Sequence, residues 1–435
     1  MNFPISQEYI NRILLEQDID DISNATIRQC AGIAEKIEED TGEKFVHLEL
    51  GIPGVEECPI GTKAQKEALD SGVASKYPPI SGVKALKQSG SEFIKAFINV
   101  DIKPECVVPT VGGMQGSYNL FLECSQMTPF KDTILFINPG FPANYTQIKV
   151  LGIKSVSFDI YSFRAEKLRP KLEEILSQGN VSAIIYSNPN NPAWICLTES
   201  ELKDIGDCAT KYDVIVLEDM AYLCMDFRQD LSKPNVPPFQ PTVARYTDNY
   251  VLMISASKIF SYAGERIAIM AFSDKLFFRE YPALKERYGI GRMGDNYVLT
   301  YLYCASSGVS HSAQYAFAKM LKESAEGRCD FVTEMSEYGR RAKHAKDIFE
   351  KHGFNIVYNT DLDKKLSDGF FFTIGYKNMS NKEILTRLLR SGVIAITLNT
   401  TGSLQNGIRV CVSQLNAEED FTALDERLNV FVQLG

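Results

Sequence analysis

The sequence predicts an α/β protein: a large domain with a mostly parallel central sheet between helices, joined to a smaller α+β domain. Three observations carry this. Short, uninterrupted apolar runs rich in β-branched residues recur between residues 134 and 272. Helical patterns fill several gaps between them. Beyond about residue 310 the pattern changes to a long helical stretch followed by separated strands. Continuous apolar runs of this length belong to strands buried on both faces, as in a parallel sheet covered by helices.

In chain order, a helix around 25–39 and the run VHLEL (46–50) come first. They do not make a domain alone, so packing against the C-terminal unit is expected. After CVVPTV (106–111) come ILFIN (134–138), SVSFD (155–159), SAIIYS (182–187), VIVLED (214–219), VLMISA (251–256) and IAIMAF (267–272). The segment 197–212 reads as a crossover helix, with Thr198 as N-cap and Glu201 completing a capping box. KPNVPPFQP (233–241) is a proline-rich loop inside the large unit. A helical stretch from about 312 to 352, broken near Gly327, opens the smaller unit. FNIVYN (354–359), FFFTIGY (370–376), a helix around 380–391, IRVCVS (408–413) and a helix around 417–433 complete it. The expected division is 71–309 for the large domain, and 1–70 with 310–435 for the small one.

Composition narrows the function. The chain has 435 residues, 45% hydrophobic and 23% charged, and a formal net charge of −9. That is globular composition, and the acidic balance argues against nucleic acid or an anionic membrane surface as partner. No run approaches the roughly 20 apolar residues of a membrane span, and no secretory signal is evident at the N-terminus, so a cytoplasmic protein is expected. The ten cysteines form no CxxC pair and read as reduced, mostly buried thiols. No metal is expected: His344 and His352 share one helix without a third ligand, which reads as a helix face.

In α/β sheets, ligands bind at the carboxyl ends of the strands. Those ends supply Gly112-Gly113-Met114, Pro139-Gly140-Phe141, Asn188 to Pro192, Asp219 with Tyr222, and Ser257-Lys258. A carboxylate, a phenol, a lysine, an amide, an aromatic ring and a glycine turn suit a flat, phosphorylated, carbonyl-bearing ligand. No GxGxxG, P-loop or nucleophile-elbow pattern is present.

The stretch Ser255-Ala-Ser-Lys258-Ile-Phe-Ser-Tyr-Ala-Gly-Glu-Arg266 resembles the Schiff-base lysine signature of class I/II aminotransferases, the fold-type I enzymes dependent on pyridoxal 5′-phosphate (PLP). The order of landmarks is similar along nearly the whole chain, from Leu50-Gly51-Ile52-Pro53 through Tyr77, Gly82 and the 112–114 turn to Gly407-Ile408-Arg409. The resemblance implies an aminotransferase working through a Lys258 aldimine and a pyridoxamine intermediate, on an L-amino acid and a 2-oxo acid. It implies that Asp219 pairs with the ring nitrogen and that Asn191 and Tyr222 bond the 3′-oxygen, Asn191 also facing the substrate. Phe141 would stack on the ring. Gly113, Met114, Ser255, Ser257 and Arg266 would hold the phosphate, with Tyr77 reaching it from the partner of a homodimer. Arg409 would clamp the substrate carboxylate beside the Gly51 amide.

Two departures stand out. The family usually reads Asn-Pro-Thr-Gly where this chain has Asn191-Pro192-Ala193-Trp194, the only tryptophan, which reads either as a core anchor or as a wall of the substrate site. Tyr262 stands where an aliphatic residue is commoner. Substrate class is open between acidic, through Arg287 or Arg292, and aromatic, through Tyr288, Tyr297, Tyr301 and Tyr303. Another PLP reaction, such as β-elimination or an aminocyclopropane-carboxylate synthase-like cyclisation, is the alternative on the same scaffold. An aminotransferase-like transcriptional regulator is not expected, since about 45 residues before VHLEL leave no room for a winged helix.

Overall fold

A computed structural model describes residues 3–433. Seven strands form the main sheet: β1 (Val107–Val111), β2 (Thr133–Asn138), β3 (Lys154–Asp159), β4 (Val181–Ser187), β5 (Ile215–Asp219), β6 (Tyr250–Ser255) and β7 (Ile267–Phe272). They lie in the order β1-β7-β6-β5-β4-β2-β3. Every pair is parallel except those of β7, which runs antiparallel to both β1 and β6. The apolar runs seen in the sequence are therefore these strands, and β4, β6 and β7 are buried along their whole length. The expected α/β class holds.

This topology aims the chemistry. Strands β1 to β6 all end at one sheet edge. The antiparallel β7 begins at that edge, so Arg266, just before it, arrives beside Gly112, just after β1. Val111 pairs with Ile267, and the Gly112 N–H donates to the Arg266 carbonyl at 2.9 Å.

The smaller sheet is wholly antiparallel. Its strands are β8 (Asn355–Ile356), β9 (Phe371–Gly375), β10 (Ile396–Thr397) and β11 (Ile408–Cys411), ordered β10-β11-β9-β8. The long helical stretch breaks into His311–Ala325, Phe331–Met335 and Glu337–Lys351, with Gly327 at φ +75° in the first gap. The N-terminal segment joins this unit: Val46–His47 pairs in parallel with Val393–Ile394. Only those two residues of VHLEL, and two of FNIVYN, are strand.

The Thr198 capping box forms as the sequence predicts, and Glu201 also receives Arg164 through two bonds, at 2.6 and 2.9 Å. Arg164 reaches Asp361 at 2.7 Å, across to the short hairpin Thr360–Lys365. Asp361 also accepts from Arg228 at 2.9 Å and from the Cys196 amide at 3.2 Å. All ten cysteines are free thiols, eight of them buried. His344 stacks on Phe421 and His352 bonds Asp425, so each has a structural partner. Among the described residues, no helix is long and apolar enough to cross a membrane.

Candidate active site

Lys258 sits in the short helix Ala256–Ile259 that follows β6, capped by Ser255, whose hydroxyl accepts from the Ser257 amide. Its ammonium donates to the Gly51 carbonyl and lies 5.1 Å over the Phe370 ring. No carboxylate pairs with it among the described residues. Burial, helped by the positive Arg409 and Arg266, brings its pKa down from 10.5 to about 8. Asp219 ends β5 and receives only the Ala221 amide, at 3.0 Å; burial pushes its pKa up to about 6. No cationic side chain pairs with it among the described residues.

Asn191 follows β4. Its amide donates to Ser187 Oγ, but its buried Oδ1 has no partner. Tyr222 is buried against Trp194, Phe370 and Phe371, and its hydroxyl bonds nothing among the described residues. Burial raises that phenol well above its ordinary pKa. Arg409 on β11 is 1% exposed and lies 4.6 Å over the Phe371 face. It bonds the Glu49 carbonyl, and its Nε is left without a partner. A buried guanidinium with a free N–H is a forked receptor for a carboxylate.

At the β1 end, Gly112 opens the helix Gly112–Cys124, with Gly113 and Met114 in the first turn. Gly112 has φ +65°, and a Cβ there would come within 2.5 Å of Arg266 Nη2, so the guanidinium and the turn meet closely only because the side chain is missing. Gly113 faces open space. Arg266 is exposed and forms no ion pair among the described residues. Ser255 and Ser257 bond each other at 3.0 Å. Phe141 is half-buried, starting the helix Pro142–Leu151. Gly51 packs on Phe371 and Phe370.

Some expected residues are not brought together. Tyr77 is 92% exposed and makes no contact with the site in its own chain. Arg292 pairs with Glu280 and Asp295, and Met293 bonds Arg279, which holds Asp213 and Asn249 near the amino ends of β5 and β6. That is the opposite edge from Asp219. Arg287 lies over Tyr288, which with Tyr301 bonds Gln126, beyond the far end of the helix from Gly113. Tyr297 is buried against Phe272, and Tyr303 is half-exposed. Within one chain, then, neither the second arginine nor the tyrosine cluster faces the site. Trp194 is fully buried, which fits a core anchor and not a cavity wall.

Sequence reasoning missed Phe370 and Phe371, the rings under Lys258 and Arg409, because FFFTIGY read only as a strand. It also missed Tyr338, which packs on Phe370 and accepts the Gly54 amide at 3.0 Å. The pairing of Phe371 with Cys411, two residues from Arg409, is the long-range link that a linear reading lacks.

A donor set of this kind fits PLP. Buried unpartnered acceptor and donor atoms, a buried acid in want of a cation, a low-pKa lysine and an open glycine turn beside a free arginine converge on one edge. Fold and site together fit the fold type I scaffold. The family model for aminotransferase class I and II matches residues 43–426, and the chain belongs to that family. An aspartate aminotransferase of Pyrococcus horikoshii is 27% identical over 57% of this chain and 60% of its own length. A (5-formylfuran-3-yl)methyl phosphate transaminase of Methanocaldococcus jannaschii is 23% identical over 92% of this chain and 94% of its own. The alignment thus spans under two thirds of the first of these and nearly all of the second. The solved aspartate aminotransferase of Thermotoga maritima superposes with a TM-score of 0.73 at 18% identity, over 99% of each chain. The Thermus thermophilus enzyme with maleate gives 0.74 at 18% identity, over 96% and 98%.

Proposed function

We propose that the protein is a PLP-dependent aminotransferase moving an amino group between an L-amino acid and a 2-oxo acid. The single observation that carries this is Lys258, half-buried at the β6 end without a carboxylate partner among the described residues, its pKa lowered to about 8. When bound, PLP supplies an aldehyde that accepts amino groups and a ring that draws electrons from the substrate α-carbon.

The residues do the rest. Lys258 Nζ, neutral in a usable fraction near pH 8, anchors the cofactor and takes and returns the proton at the α-carbon. Asp219 holds the ring nitrogen's proton. The Asn191 side-chain NH2 and the Tyr222 hydroxyl donate to the 3′-oxygen, and Asn191 also borders the substrate. Phe141 covers the ring. The Gly113 and Met114 amides at a helix start receive the phosphate, with Ser255, Ser257 and Arg266. Arg409 fixes the substrate carboxylate beside Gly51. Phe370 and Phe371 keep water from both cations.

The reading extends to a homodimer in the cytoplasm. A tyrosine as exposed as Tyr77 is accounted for if it serves the partner's phosphate site. The chain divides for this purpose into a cofactor domain, 71–309, and a domain from both ends, 1–70 with 310–435.

The test is the visible spectrum of purified protein with PLP, followed during addition of single amino acids. A Lys258-dependent band that an amino acid converts, and a 2-oxo acid restores, is the expected result. A band absent from the wild type, or unchanged in Lys258→Ala, overturns the reading.

A further inference from the structure

The family resemblance leaves Trp194 unexplained, and the structure supplies an account. The indole is fully buried, and its backbone has φ +60°, the left-handed conformation that the usual glycine adopts freely. A tryptophan in that conformation is strained, so its surroundings must fix it there. They do. The Trp194 amide donates to the Asn190 carbonyl at 2.9 Å, and Asn190 Oδ1 accepts from Ala193. The space for the ring exists only because residue 369 is glycine: a Cβ on Gly369 would fall 2.0 Å from the indole Cε2 and 2.4 Å from Nε1.

From that slot the indole meets Tyr222 edge to face, centroids 5.3 Å apart, and Phe371 at 6.3 Å. Phe371 in turn lies under Arg409. One ring therefore backs both the phenol proposed for the cofactor and the ring beneath the carboxylate receptor. It has no exposed surface, so it acts through these neighbours.

We propose that Trp194 is a positioning residue whose indole, seated in the gap at Gly369, sets the placement of the Tyr222 phenol. This rests on the PLP reading. It assigns the departure at Trp194 and the glycine at 369 to one device: a large ring on one wall, matched by a missing side chain on the other.

The test uses PLP-loaded protein and the pH midpoint of its visible band, with Tyr222→Phe as reference. A phenol donating to the cofactor's 3′-oxygen favours the deprotonated chromophore, so losing it raises the midpoint. Trp194→Phe, Trp194→Gly and Gly369→Ala should each move the midpoint toward that of Tyr222→Phe. Each should lower kcat/KM by about 10- to 100-fold. Gly369→Ala should add little in a Trp194→Gly background, because the clash partner is gone. Trp194 is the only tryptophan, so cofactor-free Gly369→Ala should also show a red-shifted indole emission, independent of activity. If Trp194→Gly does not fold, Trp194→Phe and Gly369→Ala decide. Wild-type midpoints in both folded variants, while Tyr222→Phe shifts, overturn the proposal and leave the PLP reading intact. No shift in Tyr222→Phe overturns the role of Tyr222 and the proposal with it.

Discussion

Two charged clusters, each with a buried arginine, join the parts of this chain, and they are finished in opposite ways. At the Asp361 junction, Arg164 and Arg228 meet Glu201, Asp226 and Asp361 in two-pronged and bridging pairs of 2.6–2.9 Å. All five carboxylate and guanidinium groups are paired within the chain. At the β-sheet edge, Lys258, Arg409 and Arg266 form no ion pair among the described residues, and Arg409 Nε and Asn191 Oδ1 are buried without partners. Burying an unpaired charge is costly, and a chain able to pair five charged groups in one place is not short of carboxylates. The difference separates a structural junction from a receptor: one cluster is complete, the other is open to the anionic cofactor and anionic substrate that we propose for it. A protein of net charge −9 thereby keeps a local positive site.

The comparison can be broken most severely at Lys258. Lys258→Ala should lower kcat by at least about 10⁴-fold, since residues acting as a unit lose nearly everything when one is removed. The visible band should vanish, and folding should be unharmed. Next is Arg409→Ala. We expect kcat/KM for an amino acid to fall by about 10²–10³-fold, roughly the loss of one well-placed donor group. The midpoint of thermal unfolding should stay unchanged or rise, because a buried charge without a carboxylate partner has been removed. A lower midpoint with near-normal kcat/KM would place Arg409 with the structural cluster instead.

The junction should answer the other way. Asp361→Ala removes three hydrogen bonds, two of them from guanidinium groups, while each arginine keeps its other carboxylate. We expect denaturant unfolding to show a loss of about 2–3 kcal/mol, with kcat/KM within a few-fold of wild type. A large catalytic defect at full stability would mean that the hairpin Thr360–Lys365 also steers the cofactor turns.

This contrast also explains what could be read from the sequence. The α/β class was legible because β4, β6 and β7 are apolar throughout, and Lys258, Asp219, Asn191 and Arg409 were legible because they stand at or just beside the ends of short apolar runs. The antiparallel course of β7 was not: IAIMAF, buried on both faces, looks the same in either direction. Nor was the Asp361 junction, whose members Arg164, Glu201, Arg228 and Asp361 are each ordinary surface residues in the one-dimensional pattern. Trp194 could be flagged from sequence as a departure, but its reason lay 175 positions away at Gly369, in a contact that no periodicity encodes. Local runs report burial; partners distant along the chain appear only when the sheets are assembled.

The smallest effect tests the receptor cluster without any ligand. In cofactor-free protein the folded-state pKa of Lys258 is about 8 against an ordinary 10.5, chiefly because burial disfavours the charged amine. Below about pH 8 the lysine is charged in both states and the full cost of burying it is borne. Between about 8 and 10.5 the unfolded chain holds more protons than the folded one, so stability rises with pH across that window. Above 10.5 the amine is neutral in both states and the cost is gone. The gain should be about 2 kcal/mol after allowing for the lysine's partial exposure. Cofactor-free wild type should therefore gain on Lys258→Ala between pH 8 and 10.5, measured by parallel urea titrations of both proteins. Loading with PLP should flatten the difference, because the amine is then engaged and no longer titrates freely. Parallel stability curves for the two cofactor-free proteins would show that Lys258 is solvated, and would remove the ground for treating the sheet edge as an unfinished site.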